Sequence, residues 1–358
     1  MGCRLFMHLT SDKKKLIYLS IILFLGILVI IGLTALMNGR LRSSNAFIRV
    51  FPPHVITAGQ AIDLKFNSYY LAGASGPYLY LGNFTNPRVL LRLKLSLTDS
   101  ETISIKIPDG FQFHTDDMVE IDSPFIFLKD NSTAHIYRGS LNTFLVDTAY
   151  SLILDDFSIG HALSNSSFVI RKYDDRQKQN ILKKISIGID PTLNKQGILV
   201  KQLDGVFCTE GSLNYSKKAG LLIYTYMFRN QFIVMDSSLN ILYYGKTIDT
   251  NSIVKIRVTS LEYGKVSQIS APPLLVNQKS AMNQHYLFVQ SALKANNEPD
   301  SIFSAFWVFD IYDLKNGIYK FSFYLSKQKT RHLTSIAVYN NRLYTIQDQY
   351  LYSFSINF

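Results

Sequence analysis

The feature that most constrains this fold is a recurrence of short apolar strands separated by turn residues. From residue 59 onward nearly every segment is strand-like, with Ile, Val, Tyr, Phe and Leu between Gly, Asn, Asp and Ser. The second strand of each unit is the most apolar, and these strands start near Tyr78, Phe125, Phe168, Leu221, Tyr286 and Leu343. A recurrence of about 40–50 residues with four strands per unit is typical of a β-propeller, and longer steps indicate loop insertions.

The apolar strands do not alternate between apolar and polar residues. The run "GLLIYTYMF", residues 220–228, is apolar on both faces. A propeller blade lies between two other blades and buries both faces, whereas a sandwich strand usually leaves one face polar. The sequence therefore predicts an all-β fold, a six-bladed β-propeller, in preference to a tandem of β-sandwiches.

The end of the chain predicts how the ring closes. The C-terminal residues predict the first three strands of a last blade, in the runs "SIAVYN", "RLYTIQD" and "QYLYSFSI". A two-residue turn at Asn340 and Asn341 joins the first two of these strands. The fourth strand is missing there, and "QAIDLKFN", residues 60–67, can supply it. Pairing of the two ends would remove the exposed edge of the outermost strand.

Three further segments carry local predictions. "IVMD", 233–236, and "WVFD", 307–310, are each expected to end a strand with an Asp whose carboxylate bonds the following turn. The segment "DDRQKQNILKKI", 174–185, reads either as a helix or as a long hairpin.

An uncharged run of 21 residues, 16–36, lies near the N-terminus. As a helix it would be about 30 Å long, which is the thickness of a bilayer core. A cleaved signal peptide is the alternative, but its apolar region would be shorter and followed by a small-x-small site. Arg4 and Lys13 to Lys15 precede the run, whereas only Arg40 and Arg42 follow it, which favours a cytoplasmic N-terminus. We therefore expect a cytoplasmic tip (1–15), a transmembrane helix (16–36), a linker (37–58) and an extracytoplasmic propeller (59–358).

The chain resembles the six-bladed β-propellers of extracytoplasmic proteins, particularly those tethered to a bacterial membrane. The resemblance covers residues 59–358 and rests on the six-fold recurrence, the "IVMD" and "WVFD" strands and the C-terminal strands. It implies a single-pass protein of the cytoplasmic (inner) membrane, whose propeller is periplasmic if the source is a Gram-negative bacterium. The fold class hosts binding proteins, scaffolds and hydrolases, so the resemblance does not imply one function.

Charge and cysteine content exclude some function classes. The formal net charge is +11, and the first 42 residues contribute six Lys or Arg and one acid. The remaining charge is dispersed without basic runs, so no nucleic-acid partner is predicted. The two cysteines lie on opposite sides of the predicted span and form no CxxC motif. Cys208 is expected to be a buried structural thiol.

No GxSxG, HExxH, P-loop or GxGxxG motif occurs, so we predict no catalytic residue, no metal ligand and no cofactor. Candidate ligand-binding residues come from polar clusters near the first strands of the units, which line a propeller's channel. "FHTDDMVEID" and "LDDFSIGH" are the richest clusters. An ordinary turn cap or a solvated side chain is the competing interpretation for every candidate. The candidates are Asp117, Asp156, His161, Glu210 and His332.

Two functions from different classes remain open. The anchor, together with a repeat that lacks a catalytic signature, favours a membrane-tethered binding or scaffold module for a protein or peptide partner. The alternative is a metal-dependent hydrolase, such as a lactonase, whose channel carboxylates would bind a calcium-like cation. A sensor that couples external binding to the cytoplasmic tip is a third, weaker hypothesis.

Overall fold

A computed structural model of the chain describes residues 11–42, 46–109, 118–152, 156–188, 197–261, 266–327 and 332–358. The chain divides into two units, Met1–Asn45 and Ala46–Phe358. The described part of the first unit is a helix, α1 (Ser11–Arg42). Its segment Lys15–Ala35 has a mean hydropathy of 3.0 and is long enough to cross a bilayer, a property that signal sequences share.

The second unit is a six-bladed β-propeller. The strands before and in the first three blades are β1 (Ile56–Asp63), β2 (Tyr69–Ser75), β3 (Tyr78–Asn83), β4 (Val89–Lys94), β5 (Glu101–Ser104), β6 (Met118–Asp122), β7 (Phe125–Asp130), β8 (His135–Ser140), β9 (Leu145–Ser151), β10 (Ile159–Ala162), β11 (Ser167–Asp174) and β12 (Gln179–Ser186). The elements of the last three blades are β13 (Gly211–Ser216), β14 (Leu221–Tyr226), β15 (Gln231–Asp236), β16 (Ile241–Lys246), β17 (Val258–Leu261), β18 (Val266–Ile269), β19 (Asn277–Met282), β20 (Tyr286–Ser291), α2 (Asp300–Ala305), β21 (Phe306–Asp313), β22 (Tyr319–Ser326), β23 (Leu333–Tyr339), β24 (Arg342–Gln347) and β25 (Tyr350–Ile356).

Each blade is an antiparallel sheet. In the first five blades the strands follow chain order from the innermost strand outward, and in the sixth the order from the inside is β23, β24, β25 and then β1. Five sheets have four strands, and the third blade has three among the residues that the structure describes. Strands β17 and β18 form a separate hairpin between the fourth and fifth blades. The second strands start within one residue of the positions expected from the repeat, which confirms the six-bladed architecture.

Antiparallel connections give the ring two distinct faces. The turns from first to second strands and from third to fourth strands lie on one side, which we call the mouth face. The turns from second to third strands and the connections between blades lie on the other side, which we call the crossover face. All six inner strands run from the crossover face to the mouth face.

The ring closes by joining the first strand of the propeller to the last. Strand β1 pairs with β25, placing Ile62 opposite Leu351 and Ala61 opposite Tyr352. The predicted closure is confirmed, although β1 begins at Ile56 rather than at residue 60. The turn between β23 and β24 contains Asn340 at φ 44°, a left-handed conformation that Asn tolerates better than most residues.

Apolar side chains between adjacent blades form the core. Strand β14 is buried from Leu222 to Tyr226 on both faces, as its sequence predicts. Leu222 packs towards the third blade, and Ile223 packs towards the fifth. Burial of each such side chain contributes roughly 1.5–3 kcal/mol, so the blades stabilise one another through these alternating contacts.

Residues 46–55, which the sequence assigns to a linker, pack against the fifth blade, and we call this segment the strap. Phe47 is buried, and its carbonyl accepts a hydrogen bond from Asn296 N at 2.9 Å. The carbonyl of Val50 accepts from Ser322 N at 2.8 Å, and Phe51 stacks on Tyr324 with ring centroids 4.3 Å apart. The part of the predicted linker (37–58) from residue 46 onward therefore belongs to the propeller unit.

A buried ion cluster fixes the strap. The Arg49 guanidinium donates from Nε to Asp310 Oδ1 at 2.7 Å and from Nη2 to Asp310 Oδ2 at 3.0 Å, and it also contacts Glu298. Ser322 Oγ and Tyr324 OH donate to Asp310 and Glu298 at 2.6 and 2.8 Å. Burial opposes the charge on Arg49, but the two carboxylates outweigh it and hold the pKa of Arg49 above its ordinary value.

This cluster corrects the prediction for "WVFD", because Asp310 lies inside β21 and binds Arg49 instead of capping a turn. The prediction for "IVMD" is confirmed. Asp236 ends β15, and its carboxylate accepts from the backbone N of Ser238 at 2.7 Å and of Asn240 at 2.9 Å. The segment 174–185 is a hairpin, in which Asp174 pairs with Gln179.

Candidate functional site

The inner strands of all six blades surround a central cavity of about 290 Å³. Each blade contributes one strand, because the first strand of every sheet lies nearest the ring axis. The lining is polar in the second, third and fourth blades and mainly apolar in the first, fifth and sixth. One member of each blade illustrates this pattern: Ala72, Glu120, His161, Asn214, Met282 and Val338.

Glu120 is the centre of the polar lining. Lys129 Nζ donates to its Oε2 at 3.0 Å, and Ala162 N donates to the same oxygen at 3.2 Å. His161 Nδ1 lies 3.0 Å from Oε1. Glu120 on the second blade therefore holds side-chain and backbone groups of the third blade, and these contacts lock the two blades together at the cavity wall.

The His161 ring lies between two acceptors. Its Nδ1 faces Glu120 Oε1, and its Nε2 lies 3.0 Å from the carbonyl oxygen of Leu213 on the fourth blade. A carboxylate and a carbonyl cannot donate, so only the doubly protonated imidazolium satisfies both contacts at once. His161 thus joins three successive blades through one side chain.

Glu120 is held ionised. Its side chain is 16% exposed, and this burial opposes the charged form. The charges of Lys129 and His161 and their hydrogen bonds outweigh burial and lower the pKa of Glu120 to about 2. A carboxylate with three partners and so low a pKa is suited to stabilising the wall rather than to accepting a proton from a substrate.

The cavity opens towards the mouth face, where a second recess of about 550 Å³ shares several of its lining residues. At the junction, Lys217 Nζ donates to Asp122 Oδ2 at 3.0 Å. Burial raises the pKa of Asp122, and the nearby Glu120 adds to this effect, whereas Lys217 opposes it. The junction therefore carries one ion pair across the second and fourth blades.

The rim of this recess, which we call the mouth, is formed by turns of five blades. Exposed amide and imidazole side chains dominate it: Gln284, His285, Asn340 and Asn341. Lys218 adds positive charge at one side, next to the Lys217–Asp122 pair. The mouth therefore offers many hydrogen-bond donors and acceptors around a recess whose volume falls in the range of about 300–1,000 Å³ typical of ligand sites.

Of the four predicted ligand-binding residues that the structure describes, only His161 lines the cavity. Glu210 lies before β13, where it pairs with Arg171 of the third blade, Nη1 to Oε1 at 2.7 Å. Asp156 and His332 are exposed residues before β10 and β23, on the crossover side. Asp117 lies outside the described residues. The structure therefore does not bring the described members of the predicted set together, because most of them precede the inner strands instead of lying on them.

Most of the polar residues that meet in the cavity were not predicted from the sequence. Glu120 belongs to the "FHTDDMVEID" cluster but falls within the strand, two residues into β6. Lys129 is on a second strand and reaches inward to Gly160 O at 2.6 Å. Alignment of the blades by their second strands would have placed Glu120 on an inner strand, but no sequence signal marks Lys129.

No group of three or more His, Cys, Asp or Glu side chains that could hold a metal ion is found in the described part of the chain. The predicted burial of Cys208 is confirmed: the thiol is 1% exposed, and burial raises its pKa.

Comparisons with known proteins support the architecture and nothing finer. No family model matches the chain, and no protein with a curated description matches it significantly. The crystal structure of a member of the DUF4221 family from Bacteroides vulgatus has a TM-score of 0.53 at 11% sequence identity, covering 88% of this chain and 99% of that chain. The likeness shows the fold: the chain is a β-propeller.

Two other solved structures are similar at a lower level. The β-propeller domain of Cps50 (Swd1) from Myceliophteria thermophila has a TM-score of 0.45 at 10% identity, covering 84% of this chain and all of that one. BamB from Moraxella catarrhalis has a TM-score of 0.43 at 11% identity, with coverage of 84% and 100%.

Proposed function

We propose that this protein is a membrane-tethered, extracytoplasmic binding propeller that holds a peptide segment of a protein partner at the mouth. The observation that carries this proposal is the convergence of turns from five blades on one recess of about 550 Å³. Rigid strands position these turns, and such loops on a fixed scaffold are common binding surfaces. The tether is the apolar segment Lys15–Ala35 of α1, and the basic residues before it favour a cytoplasmic N-terminus.

The chemistry of the rim indicates the kind of partner. Amides such as Gln284 and Asn341 can donate to and accept from a peptide backbone, which presents both kinds of group. Lys218 favours acidic side chains near the fourth blade. Below the rim, Tyr215, Met282 and Val338 offer apolar surface for a side chain inserted into the recess.

Site-specific photocrosslinking in intact membranes tests the proposal. A photoreactive residue at Gln284 or Asn341 samples the mouth, and one at Lys178 on the crossover face is the matched exposed control. We expect a discrete cross-linked protein from the mouth positions but not from position 178. The variant Lys218→Glu should weaken that product. Absence of a cross-link from both mouth positions, or equal cross-linking from position 178, would refute a partner at the mouth.

A further inference from the structure

Exposed apolar side chains of the loops are concentrated on the crossover face. Leu203 and Ile253, in two successive connections between blades, are 65% and 70% exposed. Their segments are adjacent, because Gln202 donates to Ser252 O at 3.0 Å and accepts from Val254 N at 2.8 Å. This part of the face therefore carries two exposed apolar side chains on adjacent segments.

A second apolar group lies on the same face at the junction of the sixth and first blades. Phe66 is in the connection after β1, and Phe84 is in the turn after β3. Phe84 N donates to Ser68 O at 2.8 Å, so the two segments are also adjacent. On the mouth face, by contrast, Ile318 is the one exposed large apolar side chain of the loops among the described residues, and Leu145 is exposed at the start of β9.

Basic side chains flank these apolar residues. Lys65 precedes Phe66, Lys201 lies two residues before Leu203, and Lys255 lies two residues after Ile253; all three are exposed. Apolar side chains bordered by lysines are typical of surfaces that rest at a bilayer interface, where the chains enter the acyl boundary and the ammonium groups meet anionic headgroups.

The propeller's own N-terminus lies at this face. The strap begins beside the loop after β20, where Phe47 O accepts from Asn296 N, and Arg49 is held by Glu298 of the same loop. The chain therefore enters the propeller unit at the crossover face. The strap is held by buried charges, so this entry point is fixed on the propeller.

We infer that the crossover face of the propeller rests on the surface of the bilayer, with Leu203, Ile253 and Phe66 in the interfacial layer. This inference depends on the membrane tether of the proposed function. Its consequence is that the mouth faces away from the membrane, where a partner can reach it. The face binds a lipid surface, and no protein is needed to cover it.

Lipid-borne quenching in proteoliposomes tests this orientation. The full chain with Cys3→Ser retains only the buried Cys208, so an environment-sensitive fluorophore can be placed on a single new cysteine. Leu203→Cys reports the crossover face, and Ile318→Cys is the matched control, because the two native side chains are 65% and 58% exposed. In phosphatidylethanolamine–phosphatidylglycerol vesicles, we expect nitroxide lipids to quench the label at 203 about twofold or more over the label at 318, and aqueous iodide to show the reverse order.

Each other outcome overturns the inference. Equal, weak lipid quenching at both positions shows that the face does not contact the bilayer. Stronger quenching at position 318 shows the opposite orientation. Protection of the label at 203 from iodide and from nitroxide lipids alike shows that protein covers the face, such as a second copy of the chain. A chain that fails to float with vesicles overturns the tether as well, whereas a chain that floats without selective quenching overturns this inference alone.

Discussion

The strap offers the sharpest test of how much the buried ion cluster stabilises the propeller. Arg49→Met keeps much of the side-chain volume but leaves Asp310 and Glu298 without their shared cation. All three side chains are at most 2% exposed. Removing one partner of a buried ion pair costs about 3–5 kcal/mol, because the remaining charges stay buried and uncompensated.

The size of the propeller converts this cost into a melting temperature. The unit from Ala46 to Phe358 has about 310 residues. An unfolding entropy of about 2.1 cal/mol/K per residue gives about 650 cal/mol/K, so a loss of about 3–5 kcal/mol lowers Tm by about 5–8 °C. Circular dichroism of the full chain in mild detergent at neutral pH measures this shift.

A matched control separates the buried cluster from surface charge effects. Lys65 pairs with Asp63 at 3.0 Å, but its side chain is 73% exposed, so Lys65→Met should leave Tm unchanged within error. Adding Asp310→Asn to Arg49→Met should recover part of the loss, because it removes one of the stranded charges. An Arg49→Met chain that melts within about 2 °C of the native chain would show that the buried cluster does not stabilise the propeller by the amount expected here.

Three further predictions concern the channel and the core. The pKa of Glu120 is about 2 in the folded state against an ordinary value of 4.5. Its ionised form therefore contributes about 3 kcal/mol to the free energy of unfolding above pH 4.5, and this contribution is lost as the pH falls towards 2. Urea unfolding at pH 5 and pH 2.5 should show a smaller pH dependence for Glu120→Gln than for the native chain. Gly73 has φ 149°, and an added Cβ would lie 2.7 Å from Ile121 Cβ on the neighbouring inner strand, so Gly73→Ala should lower stability by about 1–3 kcal/mol in the same assay. Gly76→Ala, at φ 56°, adds backbone strain but meets no atom within 4 Å, so its smaller loss separates backbone strain from the steric clash. Cys208 should resist thiol reagents in the folded protein and react fully in denaturant, and rapid native labelling on the Cys3→Ser background would contradict its burial.

The fold was largely predictable because its determinants are periodic and local. The second strands recur as apolar runs, and their starts agree with the structure to within one residue. Ring closure was also predictable, since a blade with three strands at the C-terminus needs a fourth strand from elsewhere. The alternation of β1 made it the natural candidate, and the pairing of Ile62 with Leu351 confirms it.

The strap and the channel cluster were not predictable in the same way, because both depend on contacts between residues far apart in the chain. Arg49 and Asp310 are separated by 261 positions, and nothing near "NAFIRVF" marks the arginine as buried. Asp310 looked like a turn cap because the sequence after it contains turn residues. Glu120 and His161 are 41 positions apart, and only the ring places their strands side by side.

The direction of the inner strands explains why stability and binding can be separated in this molecule. Every inner strand runs from the crossover face to the mouth face. The polar residues that lock neighbouring blades, such as Glu120 and His161, are on these strands and lie inside the ring. The turns that follow these strands carry exposed amides such as Gln284 and Asn341, which contribute little to the core. Substitution of these amides can change what the mouth binds without weakening the ring, whereas substitution inside the channel changes stability first. A mouth variant that loses its cross-linked partner while keeping the native Tm would show this separation directly.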